Sequence, residues 1–360
     1  MSRFLTVTFV LLIACSLVLT VGILIPAGMF CQITPHFQGT PTRLPLSVPG
    51  PEDIAADTLL EIAFISVDDR RAAILSRGAT RDAILLYQPA ADTVGLRDIT
   101  PPSLPDFHSH GLSLWRSPEG RLLLFAVSHR QQDGSHAVER FEWRKDSLVH
   151  LESIVDPPRM KSPNDVAAVG ERSFYVTNDH YYPLPGLART LEDYLQCAIS
   201  YVNYFDGKAV RTVAEGLAYA NGVNLSPDGS TVSVAATTGR KLLTYARNLS
   251  DGSLQLRGEQ SLETGVDNID VDVRGDLWIG CHLQRLPFVA HAKDSLQKSL
   301  SQILHLRPNP QGGYATREVL LNDGREYSGS TVAVPFRDRW LVGSVYEPCL
   351  LVCKPLTANS

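Results

Sequence analysis

The chain has 360 residues, 44% of them hydrophobic and 20% charged, with a formal net charge of -5. That length holds one large domain or two ordinary ones and a substantial core. A slightly acidic balance without basic runs argues against nucleic acid as a partner, and 26 Gly with 23 Pro suit a turn-rich all-β protein.

The chain opens on an uncharged run from Phe4 to Ile25, "FLTVTFVLLIACSLVLTVGILI". It reaches the roughly 20 residues needed to span a bilayer and exceeds the roughly 7–15 of a secretory h-region. Its exit, "PAGMFCQ", is a poor cleavage match, and Arg3 precedes it while the next basic residue is Arg43. Residues 1–30 therefore read as a signal-anchor or uncleaved signal peptide with a cytosolic N-terminus. The alternative is a cleaved, secreted form. In either case residues 31–360 enter the secretory pathway, facing the lumen or the extracellular side, and the apolar segment makes a membrane or lipid surface a partner.

Disulfides are permitted in that compartment. A bridge from Cys31 to Cys353 would tie together the two ends of the domain, with Cys349 the rival partner; Cys197 and Cys281 read as free thiols. Two N-x-S sequons occur, at Asn224 and Asn248. Asn248, followed by "SDGS", is the better glycosylation candidate.

Beyond the anchor, a turn followed by a strand returns six times, from Ala56, Ser117, Val169, Ser226, Val273 and Pro335, with starts 47 to 62 residues apart. Propeller blades repeat at about 40–50 residues in common families. Each copy carries a Gly- or Asp-bearing turn and a half-buried strand, as hairpins do. Further strand-like runs such as "DAILLYQ" and "KLLTYAR" lie between copies, and residues 186–200 give one short helix. The expected architecture is an all-β, six-bladed β-propeller with a short helical insertion and an N-terminal apolar anchor helix. A β-sandwich with regular turns is the alternative.

The residues just before each turn–strand unit are "PEDI" (51–54), "HSHGL" (108–112), "PNDV" (163–166), "ANGV" (220–223), "VDNI" (266–269) and "SGSTV" (328–332). Each blade thus places a polar couplet and then an apolar residue at the start of the strand that would line the central channel. Rotational repetition would gather Glu52, Asp53, His110, Asn164, Asp165, Asn221, Asp267 and Asn268 at one mouth. Single Asx couplets are ordinary turn chemistry, but converging carboxylates without a counter-ion would repel each other and lose solvation. A set rich in carboxylate and amide oxygen, with no thiolate, suits a hard cation, and Ca2+ tolerates irregular cages of six to eight oxygens.

These residues also resemble the paraoxonase/arylesterase family. The likeness rests on "PEDI", "HSHGLS", "SPNDVAAVG", "YVTNDHYY", "VAEGLAYANGVNLSPDG", "VDNIDVDVRGDLWIGCH" and "GSTVA", in that order and over nearly the whole chain beyond the apolar segment. It implies a six-bladed propeller with two Ca2+ in its tunnel. Glu52, Asn164, Asn221, Asp267 and Asn268 would hold a catalytic ion, while Asp53, Asp165 and the carbonyl of Leu112 would hold a structural one. His110 and His129 match the family's catalytic dyad. Cys31 lies farther upstream than the family's bridging cysteine, and segment 67–107, where a substrate-covering loop would lie, is shorter than usual.

The implied activity is calcium-dependent hydrolysis of lactones and aryl esters, with organophosphates as further candidate substrates. A cation at the mouth would polarise the substrate carbonyl. Calcium acidifies water weakly, so a base is needed, and His110 suits neutral pH. Asp267 is the alternative base or nucleophile. His129 would orient His110 or relay its proton, His180 and His282 form a candidate structural pair, and Tyr219 and Phe288 are candidate pocket walls. Two other readings remain: a sugar-lactone hydrolase of a related propeller family, which would not need the dyad, and a non-catalytic, calcium-stabilised binding module.

Overall fold

The six turn–strand copies become six hairpins, each joining the two innermost strands of one antiparallel sheet. Five sheets have four strands, and that of the fifth blade has a fifth, the short strand His36–Phe37 on its outer edge. A computed structural model describes residues 2–75, 82–89, 94–104 and 106–355. Its inner strands are Pro51–Asp57, Ser109–Arg116, Pro163–Ala168, Ala220–Leu225, Gly265–Val271 and Ser330–Phe336. Each touches the next, and the last touches the first, so the sheets close into a six-bladed propeller. The sixth blade borrows its outermost strand from the front of the domain: Gly39–Pro45 pairs antiparallel with Cys349–Pro355. This joins the two ends of the ring.

The core is a ring of six clusters, each lying between adjacent blades. Ile54, Ile65, Leu85 and Tyr87 of the first blade pack on Val334, Phe336 and Leu341 of the sixth. Ala55, Ile62, Phe64 and Leu86, one residue out of phase, pack on Leu122, Leu124 and Phe141 of the second. Alternation along a strand sends successive side chains to opposite faces, so a strand buried on both faces supplies two clusters at once.

Three features depart from expectation. The helix expected over 186–200 spans Leu187–Tyr194, because Gln196 adopts a left-handed φ of 55 and ends it. Further helices, Arg70–Ile74 and Arg285–Lys293, also form. The expected Cys31–Cys353 bridge is corrected: both residues are free thiols, Cys31 exposed behind the N-terminal helix and Cys353 buried in the last strand. Strand hydrogen bonds, not a disulfide, tie the ends together here. Cys197 and Cys281 are free, as expected.

Residues Phe4–Leu24 form a helix long and apolar enough to cross a membrane, with mean hydropathy 2.7 and none of it buried. Its end docks on the propeller. Gln196 Nε2 donates to Gly22 O at 3.1 Å, and Arg285 N donates to Ala27 O at 3.1 Å. Segment 67–107, where a substrate-covering loop was sought, lies partly outside the described residues.

Candidate metal cage and active site

Every inner strand carries a register shift at the same phase. The shifts fall between Pro51 and Asp53, Ser109 and Leu112, Pro163 and Val166, Ala220 and Val223, Val266 and Ile269, and Ser330 and Val332. The couplets sit in these bulges. A bulge frees residues from the ladder and re-aims their side chains, and here it does so six times around one axis.

Glu52, Asn164, Asn221, Asp267 and Asn268 are brought together at one end of the channel, each 1–4% exposed. Asn268 Nδ2 donates to Glu52 Oε1 at 2.9 Å, Asn221 Nδ2 to Thr237 Oγ1 at 3.0 Å, and Asn164 Nδ2 to Asp179 Oδ2 at 3.3 Å. Each amide thus spends its donor on the protein. The oxygens are left over: Glu52 Oε2, Asn164 Oδ1, Asn221 Oδ1 and Asn268 Oδ1 are all buried without a hydrogen-bond partner. An unsatisfied buried acceptor costs about 1–3 kcal/mol, so four of them take a large share of a typical stability of roughly 5–15 kcal/mol. Such oxygens are what a hard cation would engage, and the chemistry of the donor set fits one.

Asp53 and Asp165 lie one residue farther along their strands, in equivalent surroundings two blades apart. Asp53 accepts from Ile54 N at 2.8 Å and from Leu112 N of the next blade at 2.6 Å. Asp165 accepts from Val166 N and from Val223 N of its next blade, both at 2.7 Å. Burial pushes both carboxyls well above the usual range, and neighbouring carboxylates push them further: Glu52 acts on Asp53, and Asp53 on Asp165. Leu112, expected as a carbonyl ligand, lies against Asp53 through its N–H. A second cation, or protons, would relieve them.

The cage carboxylates Glu52 and Asp267 are held differently. Burial works to raise Glu52, but the charges of His110 and Arg70 and the Asn268 amide overcome it and hold the carboxyl at about 2. Asp267 is raised by burial, against which His282 Nε2, 2.7 Å from Oδ2, pulls it back.

His110 and His129 meet as expected, Nδ1 to Nε2 at 2.7 Å, while His110 Nε2 lies 3.5 Å from Glu52 Oε1. Burial and the two neighbouring imidazoles hold His129 well below its usual pKa. A third ring, His136, continues the chain at 3.0 Å from His129 Nδ1. It was missed in the sequence, although it closes the hairpin that His129 opens. His180 and His282 each engage a carboxylate of their own, Asp179 and Asp267.

A cavity of about 570 Å³ opens onto this cage. Tyr219 and Phe288, the expected walls, both line it, with Tyr194, Leu286, Val289 and Tyr346. Phe288 rides on the helix Arg285–Lys293 and lies 3.9 Å, ring to ring, from His282. Ile23 and Ala27 of the N-terminal segment complete the rim. That contribution could not be read from the sequence, since nothing in the apolar run indicates where its end will dock.

The arylesterase family model matches residues 46–354. The chain belongs to the arylesterase family. It is a hydrolytic enzyme of that family, and its relatives include human serum paraoxonase/arylesterase 1, 34% identical over 245 residues, 68% of each chain. Serum paraoxonase/arylesterase 2 of Rattus norvegicus is 33% identical over 248 residues, 69% of each chain. Among solved structures, a luciferin-regenerating enzyme superposes with TM-score 0.53 at 12% identity, over 88% of this chain and 96% of that one. A putative gluconolactonase gives 0.53 at 16% identity, over 90% and 94%. These structures share the propeller with this arylesterase. Its two formal sequons differ in exposure: Asn248 is exposed in a turn, whereas Asn224 donates Nδ2 to Ile269 O at 2.8 Å.

Proposed function

We propose that this arylesterase is a calcium-dependent hydrolase of lipophilic lactones and aryl esters, anchored in a membrane of the secretory pathway by Phe4–Leu24 with its propeller on the lumenal or extracellular side. The observation that carries the reading is the set of four orphaned oxygens, on Glu52, Asn164, Asn221 and Asn268, beside the His110–His129 pair. Those residues with Asp267 would hold one Ca2+, and Asp53, Asp165 and the Leu112 carbonyl a second. Calcium, when bound, supplies Lewis-acid charge for the substrate carbonyl.

The chain's own residues do the rest. His110 Nε2, the ring atom facing the cage, takes a proton from the attacking water, and Glu52 stabilises the resulting imidazolium. His129 orients His110 through Nδ1. The apolar walls at Tyr194, Leu286, Phe288 and Val289 seat a hydrocarbon chain or aryl ring and exclude water. They disfavour the sugar-lactone alternative, whose hydroxyls would need polar partners. Asn248 is the glycosylation site we propose.

The test is a panel of long-chain lactones, aryl acetates and gluconolactone, assayed with EDTA and after calcium is restored. Hydrolysis of the lipophilic substrates should vanish with EDTA and return with calcium. Full activity in EDTA, or a preference for gluconolactone, would overturn the reading. His110→Gln, with calcium still bound, should lose most turnover.

A further inference from the structure

His108 stands just before the strand Ser109–Arg116, two residues ahead of His110, and lies outside the His110–His129 pair. Its neighbour Ser109 fixes its place. Ser109 Oγ is 3.3 Å from Val67 O and 3.1 Å from Ala83 O, and these two residues face each other across the first blade. Asp68 and Asp82 are the next residues beyond that pair, so the head of the second blade is held against two carboxylates of the first. One ligand atom from each of Asp68, Asp82 and His108 lies within 4.8 Å of the other two. All three residues are 7% exposed.

Each carboxylate has one oxygen already engaged. Asp82 Oδ1 accepts from Asp69 N at 3.3 Å, and Asp68 Oδ2 lies 3.7 Å from Arg70 Nε. The other oxygens are differently placed: Asp68 Oδ1 is buried with no hydrogen-bond partner, and Asp82 Oδ2 faces His108 Nδ1. Arg70 is shared, since it also donates to Ser109 O at 3.0 Å and lies 4.0 Å from Glu52. Two buried carboxylates so close together repel unless a cation is set between them.

The imidazole is held as metal-bound imidazoles are. His108 Nε2 lies 3.3 Å from Asp106 Oδ1, and Asp106 accepts in turn from Gln131 N and Gln132 N, both at 3.1 Å. A ligating histidine usually gives its second N–H to a carboxylate, which fixes the ring and its tautomer. Nδ1 is then the nitrogen turned toward the aspartates. Gln131 Nε2 also approaches Nδ1, at 3.2 Å, and an ion would displace it.

We propose that Asp68, Asp82 and His108 form a zinc site, separate from the calcium cage, that clamps the first blade to the second. One imidazole nitrogen and two carboxylate oxygens match the ligands Zn2+ takes at about 2.0–2.2 Å, with water completing four. Calcium takes six to eight oxygens and finds too few here. The burial of all three ligands leaves no approach for a substrate, so the ion holds the blades together and takes no part in hydrolysis.

The test uses the full-length protein, loaded with calcium and stripped of other metals. Zinc titrated by calorimetry in excess calcium should bind at one site per chain and raise the melting temperature. Asp106→Asn should weaken zinc roughly 10–100-fold, the usual effect of losing a group behind a ligand. Asp82→Asn and His108→Gln remove ligands themselves and should each cost at least about 100-fold. Diffraction at the zinc edge from wild-type crystals should place an ion between the three residues, and decides the matter if a variant fails to fold. No zinc uptake, zinc in the calcium cage alone, or equal affinity in the wild type and both ligand variants would overturn the proposal. His108 would then be an imidazolium held between Asp82 and Asp106.

Discussion

His282 Nε2 lies 2.7 Å from Asp267 Oδ2, both side chains nearly buried and carried by the two strands of one hairpin. The second ring nitrogen, Nδ1, has no partner, and the ring face rests on Phe288. His282 thus counters the burial that raises the Asp267 carboxyl. His282→Leu should weaken calcium binding about 10–100-fold, the usual effect of losing a group behind a metal ligand, while the propeller still folds. Calorimetric titration of calcium checks it, and an unchanged affinity would mean Asp267 needs no such support.

Gly111 and Gly222 follow His110 and Asn221 where neighbouring inner strands approach closely. A Cβ on Gly222 would meet Asp267 O at 2.5 Å and Asn268 Cα at 2.8 Å; one on Gly111 would meet Asp165 Cα at 2.5 Å and also Asp165 Oδ1. Backbone atoms cannot swing aside, so Gly111→Ala and Gly222→Ala should spread the ring at the cage. Each should lower calcium affinity at least tenfold, by the same titration, and lower the melting temperature. A neutral result would show that the strands can part without harm.

The couplets were legible because a bulge repeated at one phase leaves a periodic trace, six times: a polar residue, a second polar residue or a glycine, and then an apolar one. Rotation then supplies the convergence, so Glu52 and Asp267 could be placed together across 215 residues of chain. Features that break the repeat were not legible. The helix Arg285–Lys293 contains Pro287 and no clean apolar stripe, and His136 has no counterpart in the other couplets. The Cys31–Cys353 expectation followed the compartment, but the ends close by pairing Gly39–Pro45 with Cys349–Pro355.

The dependence of stability on pH should differ with and without calcium. In the metal-free chain burial raises Asp53 and Asp165 well above 3.8, the unfolded reference. Such groups favour folding while protonated, and that contribution is lost as pH rises through their raised values. A cation bound to the carboxylates removes the penalty. The gap in melting temperature between calcium-loaded and EDTA-treated protein should therefore widen from pH 5 to pH 8. A gap independent of pH would contradict the burial of two uncompensated carboxyls.

Removal of residues 1–30 should leave the cage intact but strip Ile23 and Ala27 from the cavity rim. We expect KM for long-chain lactones to rise several-fold, with kcat for small aryl acetates little changed. Steady-state assays of the truncated protein in detergent check this, and equal KM values would show that the docked helix end forms no part of the substrate wall.

The most direct measurement is anomalous diffraction from crystals grown in calcium. The account predicts one peak within about 2.3–2.6 Å of oxygens from Glu52, Asn164, Asn221, Asp267 and Asn268, and a second beside Asp53 and Asp165. No ion at the first position in an active, calcium-requiring crystal would contradict it.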